Sequence, residues 1–213
     1  MYVKEIWRYP VKSMAGESLP AATMTVLGIE GDRIVQVRNA RERPVTARTH
    51  PGLLKFRATL DDFGEPLVDG IPWNDPVVVK AVRKVAGPES HLLRDESAYR
   101  FDVLPLLVAT DGAIAEFGRD GRRLRPNIVI GGVPGLEERK WEGGVIRIGD
   151  VVIAIQDLRA RCIMPTYIPD TLAHDPNVLR DIVKRFDGKL ALNCEVVRSG
   201  EIRLNQEVQV ARR

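Results

Sequence analysis

Eighteen glycines and fourteen prolines break the 213-residue sequence at short intervals, and this leaves little room for long regular elements. Proline removes a backbone donor and fixes φ, and glycine readily turns the chain, so the stretches between them are short. Residues 3–9, 33–38, 55–60, 77–82, 106–110, 127–130, 145–148, 151–156, 192–198 and 207–210 read as strands. Several of them alternate polar and apolar residues, as in Val145-Ile146-Arg147-Ile148 and Glu207-Val208-Gln209-Val210. Turn candidates at Glu142-Gly143-Gly144 and Ser199-Gly200 join strand-like runs near the C-terminus. Many short strands of this kind predict a barrel or sandwich-like β structure.

Two helices interrupt the pattern. Thr110 or Asp111 caps a short helix running to Phe117, closed by Gly118. A second begins with Asp175 as cap and Pro176 at the first helical position, with Leu179, Ile182, Val183 and Phe186 on one face and Gly188 as the stop. The expected class is therefore β-rich α+β. The charged run Arg94-Asp95-Glu96-Ser97 precedes a new apolar stretch, and it divides the chain into expected units of residues 1–95 and 96–213.

Composition removes several functional classes. Apolar residues make up 44% of the chain and the net charge is only +3, which argues for a packed core rather than disorder. No apolar run reaches the roughly 18–20 residues that span a bilayer, and the first ten residues lack a secretory apolar stretch, so a cytoplasmic protein without membrane contact is expected. Cys162 and Cys194 are too few for a disulfide framework, a four-cysteine zinc site or an iron–sulfur cluster. Of 32 cations, 24 are Arg and 8 are Lys, but 29 acids are interspersed and no arginine tract is long, so nucleic-acid binding is not expected.

Common catalytic and nucleotide signatures are absent. There is no Gly-x-Gly-x-x-Gly after a strand, no phosphate-loop Gly-Lys-Ser/Thr, no His-Glu-x-x-His and no Gly-x-Ser-x-Gly. His50, His91 and His174 are scattered in loop-like contexts, and pyridoxal phosphate is not expected. Four segments stand out: Lys12-Ser13 in a loop after the first strand; Gly31-Asp32-Arg33 at a turn; Arg122-Arg123-Leu124-Arg125-Pro126-Asn127 before a buried strand; and Arg159-Ala160-Arg161-Cys162. Arg161 favours the Cys162 thiolate, the form that binds soft metals and acts as a nucleophile. Cys194 lies in an apolar strand and reads as a core residue.

Five motifs in one order carry a resemblance. Tyr-Pro-Val-Lys-Ser-x-x-Gly-Glu (9–17), Gly-Asp-Arg (31–33), Arg-Pro-Asn-Ile-Val-Ile (125–130), Trp141 with Ile148-Gly149-Asp150, and Arg161-Cys162 resemble the MOSC-domain proteins that carry an N-terminal β-barrel domain, among them the amidoxime-reducing components. The resemblance runs over effectively the whole chain and implies an N-terminal β-barrel-like domain packed against a MOSC β-barrel with a few helices. It implies a molybdenum cofactor (Mo-molybdopterin), with Cys162 as the protein ligand to the metal and catalytic residue. Lys12, Ser13, Arg33, Thr110, Asp111, Arg125, Asn127, Arg161 and Asn193 are the implied cofactor contacts. The implied activity is reduction of N-hydroxylated or N-oxygenated small molecules.

This sequence departs from the family pattern at Met14, where relatives often carry Cys or a Gly-rich variant, and at Ile163-Met164-Pro165-Thr166, where a Thr-Thr-containing continuation is usual. It also lacks the cysteines of a fused ferredoxin-type domain, so an external electron-donor protein is expected. Two other readings of Cys162 remain open: a persulfide carrier in sulfur transfer, and a site in a non-catalytic cofactor carrier.

Overall fold

The computed structural model describes residues 1–211. Its largest element is an eight-stranded sheet in the order Gln209–Ala211, Val145–Ile148, Val151–Ala160, Lys189–Arg198, Leu106–Thr110, Ile128–Gly131, Tyr2–Arg8, Glu17–Ser18. All neighbours are antiparallel except Leu106–Thr110 and Ile128–Gly131, which run parallel as a crossover through a helix requires. The two ends of the sheet curl toward each other. Val3 donates to the Gln206 carbonyl at 2.9 Å and accepts from Asn205 N–H at 2.8 Å, so the first strand meets the segment leading into the last. Three small three-stranded sheets flank this curled sheet. One of them pairs Ala21–Thr25 with Gly200–Arg203, so N- and C-terminal parts of the chain are interleaved. The expected β-rich α+β class is the one formed. Among the described residues no helix is long and apolar enough to cross a membrane.

Three apolar clusters hold these layers. Val3, Ile6, Val108, Ile130, Ile146 and Ile153 belong to the core of the large sheet. Val11, Met14, Val35, Leu53, Val78 and Val82 belong to the N-terminal cluster. Phe117, Leu124, Val178, Ile182 and Phe186 form the third, beneath two helices. Each fully buried side chain of this size contributes roughly 1.5–3 kcal/mol.

The sequence expectation fails at residues 77–82, where the valine run forms not a strand but helix α1, Pro76–Ala86. Asp75 accepts a hydrogen bond from Val77 N–H at 2.8 Å, and Pro76 occupies the first turn, where its missing donor costs nothing. Val78, Val82 and Ala86 then share one buried face at helical spacing, which overrides the β preference of branched side chains. The strand expected over 55–60 is likewise shortened: Pro51–Lys55 is a 3₁₀ turn, and the strand runs over Ala58–Leu60.

Helix α2 (Asp111–Phe117) is capped by Thr110 and ends at Gly118, which adopts φ 66°, as expected. Helix α3 (Asn177–Phe186) forms too, but its buried stripe is Val178, Ile182 and Phe186, with Val183 turned to solvent. Asp175 serves its first turn through Asn177 N–H, and Asp187, not Gly188, takes the left-handed C-cap. His91 begins the strand His91–Arg94 and is not in a loop.

Candidate functional site

The first strand hands the chain into the segment 9–16, which is stitched to the next strand. Lys12 N–H donates to the Val35 carbonyl at 2.8 Å, and Val35 N–H donates to Pro10 at 3.1 Å. Three residues here or facing here adopt left-handed backbone: Ser13 (φ 71°), Arg33 (φ 56°) and Arg125 (φ 57°). That conformation costs a side-chain-bearing residue about 1–2 kcal/mol. Its clustering at one place is the pattern of a strained, over-determined site.

Asp32 organises this corner. It is fully buried, its carboxylate accepts from Tyr9 N–H at 2.7 Å and Asn127 Nδ2 at 3.2 Å, and it forms an ion pair with Arg33. Asn127 Oδ1 in turn accepts from Leu107 N–H at 3.1 Å, which fixes the 125–127 loop to the large sheet. The Arg125 guanidinium lies over the Tyr9 ring, 4.2 Å from its centroid.

The opposite wall is the end of the long strand Val151–Ala160 and the turn after it. Arg161 Nη2 donates to the Leu124 carbonyl at 2.8 Å, and Cys162 is a free, half-buried thiol. Asn193 Oδ1 accepts from Arg159 at 3.2 Å. Lys12 Nζ donates to the Arg100 carbonyl at 2.7 Å and pairs with Asp102 at 2.8 Å. Arg48 also pairs with Asp102, and Arg159 approaches it at 4.0 Å.

These groups enclose a cavity of about 90 Å³ between the N-terminal segment and the large sheet. Its charge is lopsided: Lys12, Arg33, Arg48, Arg125, Arg159 and Arg161 face it, and Asp102 is the one carboxylate among the described residues that line it. Burial pushes Arg125 down to about 10 and lowers Arg161 as well. Both remain cations at neutral pH, and the lowering marks charge that the surroundings under-compensate. Arg125 Nη2 and Arg161 Nε are buried without any acceptor. Burial also raises Tyr9 to about 12. For Asp102, burial would raise the carboxyl, but Lys12, Arg48 and Arg159 outweigh it and hold the group below its ordinary range.

Of the ten residues singled out in the sequence, eight line this cavity: Lys12, Ser13, Arg33, Arg125, Asn127, Arg161, Cys162 and Asn193. Thr110 and Asp111 do not, and their side chains are spent elsewhere. Thr110 Oγ1 accepts from Ala113 N–H at 3.1 Å and donates to Glu138 at 3.2 Å. Asp111 takes three amides, from Gly112 at 2.9 Å, Gly132 at 2.9 Å and Val133 at 3.0 Å. Its own burial opposes ionisation, yet these donors hold it below the usual carboxylate range. Arg48, Asp102 and Arg159 complete the site, and none of them is among the implied cofactor contacts. Only Arg159 had a signal, two residues before Arg161. Cys194 is buried as expected, and burial pushes its thiol up.

The donor set limits what this site can hold. Among the described residues no cluster of three or more His, Cys, Asp or Glu could seat a metal ion. A single thiol beside six cations suits a metal that arrives with its own anionic ligand, and the orphaned guanidinium nitrogens are donors such a ligand would satisfy.

Comparison with known proteins is consistent with this geometry. The family model described as the MOSC N-terminal beta barrel domain matches residues 1–86, and the model of the MOSC domain matches residues 111–209. The mitochondrial amidoxime-reducing component 1 of Mus musculus is 25% identical over 243 residues, covering 86% of this chain and 71% of that protein. The mitochondrial amidoxime reducing component 2 of Bos taurus is 25% identical over 230 residues, covering 79% of this chain and 67% of that protein. The solved structure of the YuaD protein from Bacillus subtilis shares the fold at a TM-score of 0.54 and 16% identity, covering 98% of this chain and 94% of that one.

Proposed function

Because the chain belongs to the MOSC-domain proteins that carry the MOSC N-terminal β-barrel domain, we propose that it is a molybdenum-cofactor oxidoreductase that reduces N-hydroxylated or N-oxygenated compounds. Its electrons come from a separate donor protein. The observation that carries the reading is the pairing of one free thiol, Cys162, with a buried cationic wall whose Arg125 Nη2 and Arg161 Nε lack acceptors.

The chain's own residues bind and orient. Cys162 Sγ is the protein ligand, and the guanidinium groups of Arg48 and Arg161 lie beside it. Lys12, Arg33, Arg125 and Arg161 hold the anionic portion of the cofactor by charge-assisted hydrogen bonds, and Asn127 and Asn193 add neutral polar contacts. When bound, the cofactor supplies the oxygen-accepting redox chemistry, and the protein's share is placement and electrostatics.

Asp102 occupies the position of an anion, satisfying Lys12 and Arg48 itself. A cavity of about 90 Å³ is below the roughly 300–1,000 Å³ of a small-molecule pocket, so a pterin would need this wall to open.

The test is turnover. Protein produced with molybdate is expected to convert benzamidoxime to benzamidine with an artificial electron donor. Cofactor bound without turnover would instead mark a carrier, and a cyanide-releasable sulfur on Cys162 without bound pterin would mark sulfur transfer. Either result overturns the oxidoreductase reading.

A further inference from the structure

A second, larger cavity of about 320 Å³ adjoins the first, and apart from Tyr9 and Arg125 its residues have been given no task. The two share Arg125 and Met164, so this space opens directly beside the turn that carries Cys162. Its volume suits a small organic molecule.

Its walls combine rings and cations. Trp7, Tyr9 and Tyr167 face it, and all three rings are anchored, Tyr9 by donating its hydroxyl to the Pro126 carbonyl at 3.0 Å. Trp7 Nε1 donates to Glu5 at 2.7 Å, and Tyr167 stacks on His174 with centroids 4.8 Å apart. Fixed aromatic surfaces favour a flat ligand at little entropic cost.

Lys55, Arg57, Arg122 and Arg123 line it as well, and Asp170 is its one carboxylate among the described residues. Asp170 is already engaged by Arg122 at 2.8 Å. The Lys55 and Arg57 side chains make no ion pair or hydrogen bond with the described residues. Arg123 Nε and Arg125 Nη2 are buried without acceptors. A neutral apolar ligand would leave Lys55, Arg57 and Arg123 without a counter-charge.

We propose that this second cavity is the substrate pocket and that it selects a flat, aromatic N-oxygenated compound carrying an anionic substituent. Trp7, Tyr9 and Tyr167 take the ring, and Lys55, Arg57 and Arg123 take the negative group. The substrate assignment rests on the oxidoreductase reading; the preference for an aromatic anion does not.

The experiment titrates tryptophan fluorescence of the whole protein with 4-carboxybenzamidoxime and with neutral benzamidoxime. The carboxylate is expected to bind about three- to tenfold more tightly at low salt, since each exposed ion pair adds a factor of roughly 1.5–5. The preference shrinks in 0.5 M salt, a concentration at which the Debye length is only about 4 Å. Trp7→Phe removes the fluorescence response, with binding followed by calorimetry. Lys55→Ala combined with Arg57→Ala brings the two affinities to within about twofold, and in the loaded enzyme it narrows the difference in KM between the two compounds.

Equal affinities in the wild type, or a preference untouched by the double substitution, would overturn the proposal. Displacement of the probe by cofactor loading would also overturn it, because the cavity would then belong to the cofactor. If no molybdenum binds while the preference persists, the oxidoreductase reading falls and the aromatic-anion site stands. If turnover occurs without the preference, only the pocket assignment falls.

Discussion

Asp32→Asn is the substitution that most sharply separates a built site from a chance cluster of charges. The wild-type carboxylate accepts Tyr9 N–H at 2.7 Å and Asn127 Nδ2 at 3.2 Å and neutralises Arg33, all with no solvent exposure of its own. The amide keeps the shape, but one of its two polar atoms becomes a donor facing donors, and Arg33 loses its counter-charge. Hydrogen bonds to a charged group contribute about 1.5–3 kcal/mol each, and removing one partner of a buried ion pair costs about 3–5 kcal/mol. These contributions overlap, so a loss of about 3–5 kcal/mol is expected in total. At about 2–4 °C per kcal/mol for a chain of this size, Tm falls by about 6–20 °C. Thermal unfolding by circular dichroism measures it, and Asp32→Ala should be no less damaging. A fall below about 2 °C would refute the argument, because Asp32 would then not organise the corner that holds Arg33 and Asn127.

Other expectations follow from single observations. Native protein is expected to expose one reactive thiol to Ellman's reagent, Cys162, with Cys194 reacting only after unfolding; two thiols reacting at equal rates in the native state would contradict this. Glu138 is fully buried with Oε1 unpartnered, and burial raises its carboxyl above the ordinary value. The unfolded chain therefore ionises first as pH rises. Stability from this group is fully present below the unfolded pKa, declines between the unfolded and folded values, and is lost above the latter. Glu138→Gln should accordingly raise Tm by about 2–4 °C at pH 8, corresponding to roughly 1 kcal/mol, and by less at pH 4.5; an equal gain at both pH values would refute the assignment. A Cβ on Gly112 would lie 2.2 Å from the Val133 carbonyl oxygen and 2.5 Å from that of Gly135. Both neighbours are backbone, so Gly112→Ala is expected to cost about 3 kcal/mol despite its better helix propensity, read as a lower urea midpoint. An unchanged midpoint would show that this loop yields freely.

Much of this arrangement is legible in the residues because its signals are local. Alternation marks Val145–Ile148, and the Thr110 cap with Gly118 marks α2. The valines of α1 mislead because β-branching favours strands, while the deciding information sits just outside the run, in Asp75 and Pro76. In α3 the apolar residues at 179 and 183 match helical spacing as well as Val178, Ile182 and Phe186 do; the third cluster decides which stripe is buried. The same limit applies at the site. Lys12, Arg125 and Cys162 stand in recognisable motifs, but Arg48, Asp102 and Arg159 gain meaning only where distant segments converge on one carboxylate. Thr110 caps α2, as its place ahead of the helix implies, and it does not line the cavity.

Metal analysis of the protein purified after expression with molybdate tests the central claim, that Cys162 and the cationic wall hold a molybdenum cofactor. About one molybdenum per chain is expected in the wild type, falling to trace levels in Cys162→Ser. No molybdenum in the wild type, or the same content in the variant, would contradict it.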